Sequence, residues 1–170
     1  MIAAIAAVAQ NGMLGRNGWL PWDIPEELAY FEQTIAGSAL LIGRLTYESM
    51  VEVPAPAFIL SQGTGLVLKP GCRQVNSLRE GLLSAQATGK NVFVLGGASV
   101  YRAVWPYCDR FYLTRIAGDF AGDTLFPADI PLHRWHIAAD DTRWLLEQAS
   151  QQTVACRFMQ YVQDSPERLV

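Results

Sequence analysis

Short apolar runs recur along the chain at residues 2–9, 39–43, 57–61, 92–95 and 110–116. Runs of this length, apolar on both sides of the pleat and closed by turn or charged residues, are the mark of strands buried on two faces. Between them lie stretches with helical spacing at 25–36, 44–50, 77–88 and 98–105, stopped by Gly37, the Pro54/Pro56 region, Gly89 and Pro106. Two later strands, 132–140 and 153–163, have no helical pattern between them and are expected to pair as a hairpin. The pattern predicts a single α/β domain, a central and mostly parallel twisted sheet with flanking helices and a C-terminal antiparallel hairpin. The domain should span residues 1–163, with 164–170 as a loose tail. There is no internal repeat and no low-complexity tract.

Composition narrows the function classes. At 170 residues, 51% hydrophobic and 17% charged, the chain is of single-domain size and should fold alone, burying roughly two-thirds of its unfolded surface. A net charge of −3 without a Lys/Arg cluster argues against nucleic acid. Cys72, Cys108 and Cys156 are odd in number and widely spaced, which fits a reducing compartment better than a disulfide framework. His133 and His136 lack a third ligand nearby, and on a strand they would face opposite ways, so no metal site is expected. The apolar start ending in Ala7-Val8-Ala9 lacks the basic segment of a secretory signal and reads as a buried strand. No segment reaches the roughly 18 apolar residues of a membrane span.

The first chemically informative stretch is Leu20 to Phe31. Asp23 and Glu26 have capping-box spacing and Pro25 suits a first turn, so a helix is expected to begin here. At about 100° per residue, Glu27, Leu28, Phe31 and Ile35 fall at roughly 0°, 100°, 40° and 80°, placing a carboxylate on the apolar stripe. A desolvated carboxylate has a raised pKa and can hold or relay a proton near neutral pH, as reduction of a C=N bond requires. The plainer alternative is that Glu27 snorkels from the edge of the stripe as a helix N-terminal charge.

Leu40 to Thr46 runs from a strand through Gly43 and Arg44 into a helix, and Val92 to Tyr101 repeats the geometry through Gly96 and Gly97. Two such turns suit the phosphates of a dinucleotide. Glycine at a strand-to-helix turn is also ordinary architecture, and neither turn is a full G-x-G-x-x-G.

Taken in order, these segments resemble the dihydrofolate reductase family from Ile2 to about Val162. The resemblance rests on the opening strand with Ala6 and Ala7, on Asn11-Gly12-Met13-Leu14-Gly15-Arg16, and on Leu-Pro-Trp-x-x-Pro-x-Glu-Leu-x-x-Phe from Leu20 to Phe31. It continues in Gly43-Arg44-x-Thr46-x-Glu48-Ser49-Met50, Gly96-Gly97-x-x-x-Tyr101, Leu113-Thr114-Arg115-Ile116 and Gly122-Asp123-Thr124-x-Phe126-Pro127. It implies a cytoplasmic, monomeric oxidoreductase that uses NADPH to reduce 7,8-dihydrofolate, with hydride going to C6 and a proton to N5 of the pterin. Antifolates such as trimethoprim would be its inhibitors, and no obligate protein partner is implied. By the same resemblance, Glu27 binds the pterin edge, Thr114 stands hydrogen-bonded behind it, Trp22 helps to hold an ordered water and Tyr101 lies beside the nicotinamide. Ile5, Ala6, Ala7, Leu20, Leu28, Phe31, Met50 and Leu95 would wall the substrate. The cofactor would meet Ala7, Leu14, Gly15, Asn17, Gly18, Trp19, Gly43, Arg44, Leu45, Thr46, Leu60, Ser61, Gln62, Leu95, Gly96, Gly97, Ala98, Ser99, Val100, Tyr101 and Thr124. Gly15 and Gly122-Asp123 would belong to loops that close over the site.

The departures are as informative. The family usually carries an arginine just before the third strand that grips the substrate's glutamyl tail, whereas Val53-Pro54-Ala55-Pro56-Ala57-Phe58 holds no basic residue. Between Asn17 and Leu68 the only cation is Arg44, against several carboxylates including Glu32 and Glu52. The tail site therefore reads as acidic, with Lys69 and Arg73 expected beyond the strand and away from the rim. The absent arginine keeps two alternatives open, a reductase of unconjugated pterins or of pyrimidine flavin precursors, and a catalytically silent binding homologue. Intact Glu27, Trp22 and Thr114 weigh against the second.

Overall fold

The computed structural model describes residues 1–169. Its centre is β1 (Ile2–Ala9), all eight residues of which are buried. Even positions Ile2, Ala4, Ala6 and Val8 pack on one side of the sheet with Leu41, Phe58 and Val94. Odd positions Ala3 and Ile5 pack on the other side with Leu40, Ile42 and Phe93. A two-residue period with both sets apolar requires layers on both faces, the expected solution for a mostly parallel sheet.

Six further strands continue the sheet and a last one closes its edge: β3 (Ala39–Gly43), β4 (Ala57–Leu60), β5 (Cys72–Val75), β6 (Val92–Val94), β7 (Arg110–Ile116), β9 (His136–Glu147) and β10 (Gln152–Val162). The spatial order is β5-β4-β3-β6-β1-β7-β10-β9. Every pairing from β5 to β7 is parallel, and β10 runs antiparallel to both β7 and β9. The helices are α1 (Pro25–Ile35), α2 (Arg44–Ser49), α3 (Leu78–Gln86) and α4 (Ala98–Val104). A separate ribbon pairs β2 (Met13–Gly15) with β8 (Thr124–Leu125). None of the helices is long and apolar enough to cross a membrane. Beyond β10 the chain runs to Leu169 without helix or strand, and the Glu167 N–H donates to the Pro106 carbonyl.

Three expectations need correction. The first late strand does not begin at 132: Leu132–Arg134 is a 3-10 turn after Pro131, and its Leu132 and Trp135 are buried in the core, which imitates strand patterning. β9 instead starts at His136 and runs on through Asp140 and Asp141, acidic residues tolerated because this is the exposed edge. β5 was not anticipated, since Cys72-Arg73-Gln74-Val75 buries only Val75 fully and makes the opposite edge. The capping box at Asp23 does not form: Ile24 is the N-cap of α1 and no side chain caps it. The Asp23 N–H is engaged elsewhere, by the Glu147 carboxylate at 2.8 Å. A cap of the expected kind occurs at α3, where the Ser77 hydroxyl accepts the Glu80 N–H at 3.1 Å.

Candidate active site

A cleft of about 950 Å³ opens at the C-terminal ends of the parallel strands, where ligands sit in open α/β sheets. β1 supplies Ile5, Ala6 and Ala7 to its floor, β3 supplies Gly43, and the residue after β6 supplies Leu95. Alanines at 6 and 7 leave space beside the central strand that larger side chains would fill.

At one end stand Leu20, Leu28, Phe31 and Met50 around Glu27. Glu27 is 5% exposed, so the buried reading of the helix stripe holds and snorkelling does not. Burial pushes its carboxyl up to about 7. At neutral pH it therefore divides between its charged and protonated forms. It lies electrostatically close to Tyr30, Tyr101 and Cys156, whose acidities its charge lowers. Tyr101 is 3% exposed, and burial raises its pKa far above the ordinary phenol. Its hydroxyl lies 2.6 Å from the Ile5 carbonyl and 2.9 Å from that of Leu95. One proton serves both acceptors, so the phenol ties β1 to the end of β6.

At the other end, Gly43 and Gly97 are the N-caps of α2 and α4, and neither helix has a side-chain cap. The Gly43 N–H donates to the Gly96 carbonyl at 2.7 Å. A Cβ on Gly43 would stand 2.9 Å from that oxygen, and Gly96 has φ of +116°. Glycine is thus required where the two turns meet back to back. Arg44, Leu45, Thr46, Ala98, Ser99, Val100 and Leu60 complete this end. Leu14, Gly15, Asn17, Gly18, Trp19 and Thr124 form the wall between the two ends.

Five of the expected site residues, Trp22, Thr114, Gly96, Ser61 and Gln62, are not among those that line the cleft. Trp22, 5% exposed, packs edge-on against Phe120 at 5.5 Å, and its indole N–H is buried without a protein acceptor. Thr114 is buried on β7 opposite Ala7. Gly96 acts through its carbonyl. The Ser61 hydroxyl accepts the Gly63 N–H at 3.2 Å, its carbonyl accepts the Gln74 amide, and Gln62 is exposed beside Asn76. Glu48, Ser49 and Asp123 line the cleft without having been expected as contacts. Glu48 pairs with Arg44 at 2.7 Å, an i,i+4 relation that was readable in the sequence. Among the described residues, no group of three or more His, Cys, Asp or Glu could hold a metal.

The rim also departs from its expected charge. Lys69 folds back so that its ammonium donates to the Met50 carbonyl and lies 5.2 Å from the Tyr47 ring centroid. The Lys69 N–H donates to the Tyr47 hydroxyl at 2.7 Å. Gly71 packs against Ala55 and holds this loop beside the segment without arginine. Arg73 does remain outside, exposed and 4.0 Å from Glu80.

The comparisons agree with this geometry. The sequence model described as dihydrofolate reductase matches residues 1–163. The dihydrofolate reductase of Bacillus subtilis (strain 168) is 33% identical over 154 residues, covering 90% of this chain and 85% of that one. That of Haemophilus influenzae is 29% identical over 163 residues, covering 91% and 94%. The solved structure of the Enterococcus faecalis dihydrofolate reductase, complexed with NADP(H) and RAB-propyl, superposes with a TM-score of 0.86 at 28% identity over 97% of each chain. A whole-length sequence match and a shared architecture, with one buried carboxylate facing two glycine turns across the cleft, establish that the chain belongs to the dihydrofolate reductase family.

Proposed function

We propose that in this oxidoreductase, which reduces dihydrofolate with NADPH, Glu27 is the group that binds the pterin edge and governs protonation at N5. The carrying observation is that Glu27, among the described residues, is the one buried acid lining the cleft, with a pKa of about 7. In its charged form it accepts the N–H groups of the pterin's N3 and 2-amino edge. In its protonated form it holds a proton close to the reacting ring, directly or through one water. The unpartnered Trp22 N–H suits such a water, because a buried donor left unsatisfied costs about 1–3 kcal/mol.

The glycine turns fit the cofactor. Gly43 and Gly96 let the two turns pack where a Cβ would crowd the Gly96 carbonyl and Tyr101, Gly97 lines the cleft without a side chain, Thr46 and Ser99 add hydroxyls, and Arg44 adds the positive charge. When bound, NADPH supplies the hydride delivered to C6. Tyr101 acts as a positioning residue: it sets Ile5 and Leu95 at the junction where nicotinamide and pterin would meet, its own proton being committed to their carbonyls. Thr114 supports the wall behind Ala7, and the loop carrying Leu14 to Trp19 excludes water. The enzyme is expected to work as a cytoplasmic monomer without a protein partner, bound by antifolate inhibitors. Three free thiols, two of them buried, agree with a reducing compartment.

The test is NADPH oxidation followed side by side with dihydrofolate, dihydropteroate and dihydrobiopterin. Efficient turnover of dihydrofolate supports the reading. Turnover of dihydrobiopterin alone would instead favour an unconjugated pterin.

A further inference from the structure

Glu147 ends β9 and is 2% exposed, a buried carboxylate outside the cleft that the chemistry above does not use. Its Oε2 accepts the Asp23 N–H at 2.8 Å and the Ala149 N–H at 3.2 Å, and its Oε1 accepts the Ser150 N–H at 2.8 Å. The Gln148 N–H returns a bond to the Asp23 carbonyl at 2.8 Å. Asp23 is therefore gripped by both of its backbone polar groups, from a hairpin 124 residues away. Backbone N–H groups hold this anion, and it does not appear among the ion pairs of the described residues. Burying a charge without a cation is costly. Two of the three N–H groups belong to the hairpin's own turn, but the third belongs to the segment that enters α1.

That segment leads straight to the cleft. Trp22 precedes Asp23, and Ile24 follows it as the uncapped N-cap of α1. The Ile24 carbonyl accepts the N–H groups of both Glu27 and Leu28 at 3.1 Å. A carboxylate clamped on Asp23 thus fixes the first turn on which Glu27 is mounted, and its charge lies at the favourable end of the helix dipole. We propose that Glu147 is a positioning residue for Glu27, holding the Trp22–Ile24 segment so that the cleft carboxyl stays buried at its working depth. This rests on the reading of Glu27 given above.

The prediction concerns Glu27's solvation as well as its position. The titratable groups close to Glu27 are Tyr30 on its own helix, Tyr101 on α4 and Cys156 on β10, with Arg143 of β9 sharing two of these neighbours. The tyrosines and the cysteine are neutral at pH 7, their pKa values all being raised, so a moved midpoint reports Glu27's own environment. Hydride transfer in single turnovers, across the neutral pH range, is to be measured for Glu147→Ala and Glu147→Gln alongside NADPH affinity and thermal melting. Glu147→Ala should slow hydride transfer about tenfold, move its pH midpoint downward from about 7 and leave the NADPH Kd within about twofold. Glu147→Gln, which keeps one acceptor oxygen, should fall between. A wild-type rate and midpoint in both variants, even with a lowered melting temperature, would overturn the proposal and leave Glu147 as a staple of its own hairpin. Should Glu147→Ala fail to fold, Glu147→Gln decides on the same two readouts. If the unmodified enzyme shows no midpoint near neutrality, it is the reading of Glu27 that fails.

Discussion

The Asp123 carboxylate accepts the backbone N–H of Asn17 at 2.7 Å, while the Asp123 N–H donates to the Gly15 carbonyl at 2.9 Å. A Cβ on the adjacent Gly122 would come within 2.5 Å of that same carbonyl, so the two loops meet without space for a side chain. Asp123→Ala should loosen the wall formed by Leu14, Gly15, Asn17, Gly18 and Trp19, slow hydride transfer several-fold and weaken NADPH binding. The Asn17 N–H holds the Asp123 carboxyl below its ordinary pKa. Its contribution is thus complete above the usual carboxylate range and lost as pH falls through the depressed value. Stopped-flow rates for Asp123→Ala equal to wild type, with unchanged NADPH affinity, would show the clasp to be idle.

Arg44 stands at the head of α2 with Glu48 at 2.7 Å, both side chains about half exposed. An incoming 2′-phosphate must compete with that carboxylate, which reduces the roughly 10–150-fold expected of a charge-assisted contact. Arg44→Ala should lower the ratio of kcat/KM for NADPH over NADH by about tenfold at low salt, and by less as screening grows. A ratio that does not move would mean that another group reads the 2′-phosphate.

Gly43 has an ordinary φ of −67°, so its requirement is spatial. Gly43→Ala should destabilise the fold by about 1–3 kcal/mol, the usual cost of overpacking, because the Gly96 carbonyl and the Val100 methyl lie 2.9 and 3.2 Å from the new Cβ. Denaturation of the cofactor-free protein measures this directly, and a variant as stable as wild type would show that the two turns can separate freely.

Lys69 changes what the rim predicts. Sequence alone places no cation near Met50 and implies indifference to a glutamyl tail. The folded chain sets an ammonium there, so dihydrofolate should be preferred over dihydropteroate by several-fold, less than a bidentate arginine would give. Added salt and Lys69→Met should each erase the preference. A wild-type ratio of kcat/KM at or below one would restore the reading of an acidic rim.

Much of the fold was legible because its strands are buried on both faces and uniformly apolar, as β1 and β3 are. The hairpin's start and the edge strand β5 were not. Their side chains face water on one side, so Arg73 and Gln74 resemble a loop, while buried Leu132 and Trp135 resemble a strand. In the site, helical periodicity set Glu27 on the apolar stripe but left snorkelling open, an alternative that its 5% exposure removes. Lys69 and Glu147 were not legible, because each acts across a long chain separation: Lys69 reaches Met50 through a loop reversal, and Glu147 reaches Asp23 from the far hairpin. Asp23 shows the reverse error, a local capping signal overridden by a tertiary hydrogen bond.

The pH dependence of hydride transfer, compared between wild type and Glu27→Gln, bears most directly on the whole account. Burial raises the carboxyl to about 7. The protonated form should therefore carry the reaction, with the wild-type rate falling as pH rises through that value. The same shift has a stability sign. A raised acid stabilises the fold below its unfolded value of 4.5 and loses that contribution as pH rises through the folded one. Ligand-free Glu27→Gln should accordingly be the more stable protein above neutrality, by about 3 kcal/mol at most. In single turnovers with saturating NADPH and dihydrofolate, Glu27→Gln should lose most of the rate at pH 7 together with the midpoint near neutrality, while its NADPH affinity stays at the wild-type value. A Glu27→Gln enzyme with the wild-type rate and the wild-type midpoint would contradict the assignment of Glu27 as the group that controls the proton.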